Sequence, residues 1–409
     1  MQLKSLSLRN FRLFESLDIK TPNQVILITG DNAQGKTSLL EAIYYIATLS
    51  SFHASSDRQL IRFNARRNNG DIAVSHIIAD FETNGQTRHI EIRLILQPDR
   101  NGNSRYSKEI LIDNAKKKTG EAIGKFNAVL FLPEMTQIID GAPEMRRRYL
   151  NLMIAQANPR YIQKLSQYNQ AITQRNALLK LIAEKQSIPE HLEIWDQNIA
   201  SLGAYLIKER IKVINQLELE AQFTHHELSH GKESFKIFYT PSFDPARPNK
   251  IKQNGLFETI QFQEPISRDH LQLEEIEQLF LESLKKTQQI DIIRGVTTIG
   301  PHRDEIRFFS NNTDLGKYGS RGQIRTSLIA LKFAESHWLK SATGQQPVML
   351  FDEVLAELDQ HRRKDLLHYL LQNQQKFLTT ADLNLFSSEY LTHSKIWKIQ
   401  NGIIKYPEK

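Results

Sequence analysis

Gly30-Asp31-Asn32-Ala33-Gln34-Gly35-Lys36-Thr37 decides the fold together with its flanks. The eight residues fit G-x-x-x-x-G-K-[ST], the loop that cradles the phosphates of a nucleoside triphosphate. Val25-Ile26-Leu27-Ile28 before it is wholly apolar, as a strand buried on both faces requires. Ser38-Leu39-Leu40-Glu41-Ala42-Ile43 after it begins a helical pattern. The loop therefore sits at a strand-to-helix turn, where backbone N–H groups and a helix N-terminus converge on an anion. Gly30 and Gly35 permit backbone conformations and close approach that side chains would block. Lys36 is expected to reach the β- and γ-phosphates of ATP, and Thr37 to ligate Mg²⁺ through its hydroxyl.

The chain has 409 residues, enough for one large domain or two to three smaller ones. A hydrophobic fraction of 40% supports a real core. Mean hydropathy is −0.45, and no run approaches the roughly 18 apolar residues of a membrane span. Met1–Arg9 alternates apolar and polar residues, the pattern of a strand and not of a signal peptide. A cytoplasmic protein with no membrane partner is expected. The absence of cysteine excludes disulfides, thiolate nucleophiles and thiolate zinc sites. Lys and Arg number 53 against 46 Asp and Glu, a net charge of +7. That mild excess suits a polyanion partner without establishing one.

Along the chain, residues 1–130 read mainly as strands plus the loop-bearing helix. Gly70–Gln97 alternates as β-structure (Ile72, Val74, His76, Ile78, then Ile90, Ile92, Leu94, Leu96). From Ala142 to Phe223 the spacing turns helical, with breaks expected at Pro159 and Pro189. Thr240–Glu264, rich in Pro and Gly, reads as a loop, and Leu271–Thr287 as a helix. The last third alternates strands and helices, the pattern of a parallel sheet.

A nucleotide hydrolase also needs an acid to hold Mg²⁺ and one to orient water. Val348-Met349-Leu350-Phe351-Asp352-Glu353 supplies both at the C-terminal end of an apolar strand, the edge where ligands bind in open α/β sheets. Asp352 is expected to hold Mg²⁺ and Glu353 to polarise the attacking water. Lys36 and Asp352 lie 316 residues apart, so a large insertion separates the halves of the site. Between them, Tyr318-Gly319-Ser320-Arg321-Gly322-Gln323 runs into a helix, with Ser320 as a good N-cap. Ser320, Gly322 and Gln323 resemble the signature loop of ABC-type ATPases, and Ala356-Glu357-Leu358-Asp359 resembles their D-loop. That resemblance implies a head-to-tail dimer in which the signature loop of one subunit caps the ATP held by the other.

A closer resemblance spans nearly the whole chain. Asn10-Phe11-Arg12, Gly30–Ser38, Asp57-Arg58-Gln59-Leu60-Ile61-Arg62 and Leu132-Pro133-Glu134 resemble the RecF family in order. So do Arg146-Arg147-Arg148-Tyr149-Leu150, Gln174–Lys180 and Gly300-Pro301-His302-Arg303-Asp304, the last being the most distinctive. The resemblance implies an α/β fold: an ABC-type P-loop ATPase head, like that of structural-maintenance-of-chromosomes proteins, formed by both termini around an inserted, mostly helical lobe. The expected divisions are 1–135, 136–290 and 291–409. The helices of 142–223 are too short for coiled-coil arms. It further implies an ATP-gated homodimer of DNA replication and repair. Such a dimer would bind double-stranded DNA next to single-strand gaps and act with RecR and RecO to load RecA. Slow hydrolysis would then release it.

Two departures stand out. Ala54-Ser55-Ser56 precedes Asp57-Arg58, where more basic residues are expected for the family. Thr380-Ala381-Asp382 follows Lys376-Phe377-Leu378-Thr379 with no His at the switch position, leaving Thr380 or Asp382 as substitutes and arguing against a transporter subunit. Glu134 lies near where a Q-loop would fall. DNA-contact candidates are Arg58, Arg62, Arg66 and Arg67, Arg146-Arg147-Arg148, and Lys116-Lys117-Lys118, each competing with a solvated or salt-bridged role. His302-Arg303-Asp304 is expected to be structural or to support the signature loop. A clamp that binds ATP with incidental turnover is the remaining rival, since Glu353 shows capacity and not rate.

Overall fold

In a computed structural model of the chain the described residues are 1–66, 72–98, 104–247, 266–358, 360–370 and 374–405. The chain divides into two compact units, Met1–Met135 with Glu335–Lys409, and Thr136–Ala334.

The first unit carries two six-stranded sheets. One is antiparallel, with Gln2–Phe11 next to its edge, between Phe14–Lys20 and Ala73–Thr83. Gln86–Pro98, Ser104–Ile112 and Ala115–Lys116 extend it. Its alternating residues divide as period 2 demands, with Ala73, Ser75, Ile77, Ala79 and Phe81 buried. The other sheet has the order Ile403–Lys405, Ser394–Gln400, Val25–Thr29, Lys376–Thr380, Val348–Asp352, Ala128–Phe131. Only its first pair is antiparallel.

Register explains why distant motifs meet. Thr29 lies opposite Thr380, and Thr379 opposite Asp352. Parallel strands end at a common edge, so Gly30, Ala381 and Glu353 leave the sheet side by side. The helix Lys36–Thr48 follows the loop, touches strands of both sheets, and is buried continuously from Leu39 to Thr48. A helix apolar nearly all round has to be enclosed in this way.

The second unit is mainly helical, with helices Pro143–Ala157, Pro159–Ala183, Glu193–Leu228 and Leu273–Arg294. Pro159 stands in the first turn behind Asn158, whose side chain accepts from Tyr161 N at 3.1 Å. The break at Pro189 is a short 3-10 turn, Pro189–Leu192, ahead of the 36-residue helix. The last of the four runs past Thr287 to Gly295, whose φ of 63° closes it in the left-handed conformation.

A three-stranded sheet, Phe235–Thr240, Glu305–Ser310 and Thr313–Asp314, was not anticipated. The second compact unit, which contains this sheet, runs on to Ala334, past the expected division at 290/291. Glu305–Ser310 pairs with Phe235–Thr240, and the segment before it satisfies buried arginines of the helices. Arg175 Nη1 donates to Thr297 Oγ1 at 2.9 Å in that segment, besides Asp291 at 2.7 Å, and its Nε to Asp196 at 2.6 Å. Arg210 Nη1 donates to the Pro301 carbonyl at 2.6 Å and to Asp304 at 3.0 Å.

Candidate active site

The phosphate loop turns on two glycines. Gly35 has φ of 111°, and a Cβ there would sit 3.2 Å from Phe14 Cζ. A Cβ on Gly30 would collide with the Ile399 carbonyl oxygen. The loop is also fastened to the C-terminal hairpin, because Asn401 N donates to Gln34 Oε1 at 2.6 Å. Lys36 Nζ donates to the Gly30 carbonyl at 2.6 Å and meets Glu353 Oε1 at 3.0 Å. Thr37 Oγ1 donates to Asp352 Oδ2 at 2.6 Å. Residues 315 apart in sequence thus converge at the sheet edge.

Asp352 is buried, and burial pushes its carboxyl above the ordinary range; Glu353 and Glu134 add to that rise, while Thr37 and Thr379 oppose it. A buried carboxylate beside a threonine hydroxyl is a hard-oxygen donor set that suits a divalent cation such as Mg²⁺. Glu353 has φ of 48°, an uncommon left-handed conformation for a side chain of its size. Its Oε2 accepts from Ala381 N at 3.1 Å, so the switch region reaches it through backbone. Thr379, which sequence reasoning passed over as a strand residue, joins the two acids. Its hydroxyl donates to Asp352 Oδ1 and accepts from Glu353 N. The named substitutes instead close a turn on themselves, Thr380 Oγ1 donating to the Asp382 carbonyl at 2.8 Å. Glu134 lies 3.1 Å from His53 Nδ1. Arg12 forms a two-pronged ion pair with the buried Glu41, at 2.7 and 2.8 Å.

Within the second unit, Ser320 and Gln323 form a reciprocal capping box. Gln323 N donates to Ser320 Oγ at 3.2 Å, and Ser320 N to Gln323 Oε1 at 3.1 Å. Gly322 follows in the first turn of the helix Arg321–Thr343.

The RecF/RecN/SMC N-terminal domain family matches residues 2–405. A DNA replication and repair protein RecF from Chloroflexus aurantiacus is 34% identical over 409 residues, covering 98% of this chain and 99% of that protein. The chain belongs to the RecF family. The RecF of Lactobacillus johnsonii is likewise 34% identical, with each chain covered in full. A solved structure of the recombination mediator protein RecF with ATP superposes with a TM-score of 0.80 at 30% identity, covering 100% of this chain and 98% of that one. An Smc head domain from Pyrococcus furiosus, at 16% identity and a TM-score of 0.50, shares the fold. The fold is accordingly the ABC-type ATPase head of the RecF and SMC proteins.

Against the RecF frame, the remaining candidates separate. Asp359 and Arg67 lie outside the described residues, as does the side chain of Arg66. Arg58 is exposed, and Arg62 pairs with Glu15 at 2.7 Å. Of the two roles open to Arg146, DNA-facing or salt-bridged, the structure shows the second: it is buried in a two-pronged pair with Glu305, at 2.7 and 2.9 Å. Arg147 is committed to the Asp304 carbonyl at 2.8 Å and to Glu144 at 3.0 Å. Withdrawing Arg146 toward a phosphate would break its ion pair with the half-buried Glu305. Asp304 accepts from Arg210, the Tyr239 hydroxyl and Ser242 N. His302 faces the Thr297 carbonyl through Nε2 at 3.1 Å and the Tyr168 hydroxyl through Nδ1 at 2.8 Å. A carbonyl only accepts, so Nε2 carries the proton. Burial lowers the His302 pKa to about 4. The Gly-Pro-His-Arg-Asp segment therefore does structural work.

Proposed function

We propose that the chain is an ATP-dependent DNA-binding protein of replication and recombinational repair. The convergence of Lys36 with Glu353 and of Thr37 with Asp352 at one sheet edge carries this reading. Gly30–Thr37 would hold the triphosphate through backbone N–H groups, with Lys36 against the β- and γ-phosphates. Thr37 and Asp352 would hold Mg²⁺, whose chemistry is to neutralise charge developing on the phosphates. Glu353 polarises the attacking water from its position 3.0 Å from Lys36. Thr379 and the Ala381 backbone keep both acids aimed.

Ser320, Gly322 and Gln323 of a second copy cap the same nucleotide, with Asp359 beside them. ATP then adds contacts only to the closed homodimer and shifts the population toward it. The protein is a weak, DNA-stimulated ATPase used as a switch in the cytoplasm. Its closed dimer binds double-stranded DNA at single-strand gap junctions and, with RecR and RecO, helps load RecA. Slow hydrolysis ends the state. The net charge of +7 and the exposed Arg58, with Arg62 near it in sequence, support phosphate contacts. Sedimentation with and without ATP tests the switch. Wild type should dimerise only with ATP, and Lys36→Ala should stay monomeric; ATP-independent dimers of the variant would contradict it.

A further inference from the structure

The Gln323 side chain can be oriented in two ways that differ by exchanging its oxygen and its NH₂. Only one lets Oε1 accept from Ser320 N. Glu233 selects it. Its Oε1 lies 3.3 Å from Gln323 Nε2, and a carboxylate can only accept, so the NH₂ must face it. The other carboxylate oxygen accepts from the Ser310 hydroxyl at 3.0 Å, which fixes the acid itself. Ser310 is buried at the end of its strand. Glu233 stands in the turn between the 36-residue helix and the strand Phe235–Thr240, and Asn311 clamps that turn by accepting from Ser234 N at 2.9 Å.

We propose that Glu233 is a positioning residue for the signature loop. It holds the Gln323 amide in the one orientation that keeps the Ser320 loop formed, and so presets the surface offered to the nucleotide of a second copy. This role rests on the reading of 320–323 as a loop acting in trans. It adds a residue some 90 positions away that no motif announces. It also ties the end of the long helix to the loop through a single hydrogen bond.

The test compares full-length Glu233→Ala, Glu233→Gln, Gln323→Ala and Ser320→Ala. Each is measured for affinity toward a fluorescent ATP analogue and for ATP-dependent dimerisation by sedimentation. Glu233→Ala should leave nucleotide affinity unchanged, lower thermal melting only modestly through the lost Ser310 hydrogen bond, and weaken dimerisation about tenfold, the scale of one hydrogen bond to a charged group. Glu233→Gln, whose amide oxygen can still accept, should recover most of it. The pair Glu233→Ala with Gln323→Ala should be no worse than the weaker single variant. Wild-type dimerisation of Glu233→Ala beside an impaired Ser320→Ala would overturn the proposal, as would loss of nucleotide affinity in Glu233→Ala. Unimpaired Ser320→Ala would instead overturn the parent reading of the loop. Should Glu233→Ala misfold, Glu233→Met, similar in length and without an acceptor, decides: its dimerisation should fall by about the same factor, and normal dimers would overturn the role.

Discussion

At the scale of the residue, the site turns on which groups share a proton or a phosphate. Lys36, held 3.0 Å from Glu353, is the cation proposed to meet the β- and γ-phosphates. Lys36→Ala should abolish ATP binding, measured by equilibrium titration with a fluorescent analogue. Thr379 is the residue that motif reading could not supply, since a threonine in an apolar strand has no signature. Its hydroxyl bridges Asp352 and the Glu353 backbone. Thr379→Val keeps the shape and removes that bridge. Hydrogen bonds to charged groups contribute about 1.5–3 kcal/mol, so hydrolysis should slow by about 10- to 100-fold with nucleotide affinity nearly unchanged. Steady-state phosphate release measures the first and the same titration the second. An equal loss of affinity would assign Thr379 to binding.

At the scale of the element, strands and caps were legible where local chemistry decides them. The apolar runs Val25–Ile28 and Val348–Phe351 became buried parallel strands, and Asn158 with Pro159 starts a helix as their chemistry requires. The sheet edge that unites Gly30, Glu353 and Ala381 depends on long-range register, which alternation within one strand does not encode. The small sheet around Glu305–Ser310 was hidden for the same reason, and so was the role of Arg146. A row of three arginines leaves a basic patch and a salt-bridged role both open until the half-buried Glu305 is placed beside Arg146. Buried ion pairs set the cost of disturbing the helices. Arg175→Met would leave Asp196 and Asp291 without their guanidinium and should destabilise the second unit by about 3–5 kcal/mol. Denaturant melts followed by circular dichroism check this. His302 adds a pH dependence. Its pKa of about 4 lies below the ordinary value of 6.5, so the unfolded chain binds the proton more readily. Its contribution is complete above pH 6.5 and is lost as pH falls toward 4. Melts across that range should show the loss in wild type and a smaller one in His302→Gln.

At the scale of the whole molecule, the central claim is that ATP controls DNA residence. Glu353→Gln should bind ATP, hydrolyse it very slowly and dissociate from gapped DNA more slowly than wild type. Rapid release in ATP would separate hydrolysis from residence. DNA affinity should fall with salt at a log–log slope of about −0.9 per phosphate contacted, and a flat dependence would remove the backbone contacts. No helix among the described residues is long and apolar enough to cross a membrane, and the charge balance favours a polyanion. The most direct measurement is equilibrium binding to gapped duplex DNA, with and without ATP, for wild type and Lys36→Ala. Tight binding that appears only with ATP and vanishes in the variant is the predicted result. Binding indifferent to both ATP and Lys36 would contradict the account of an ATP-gated clamp.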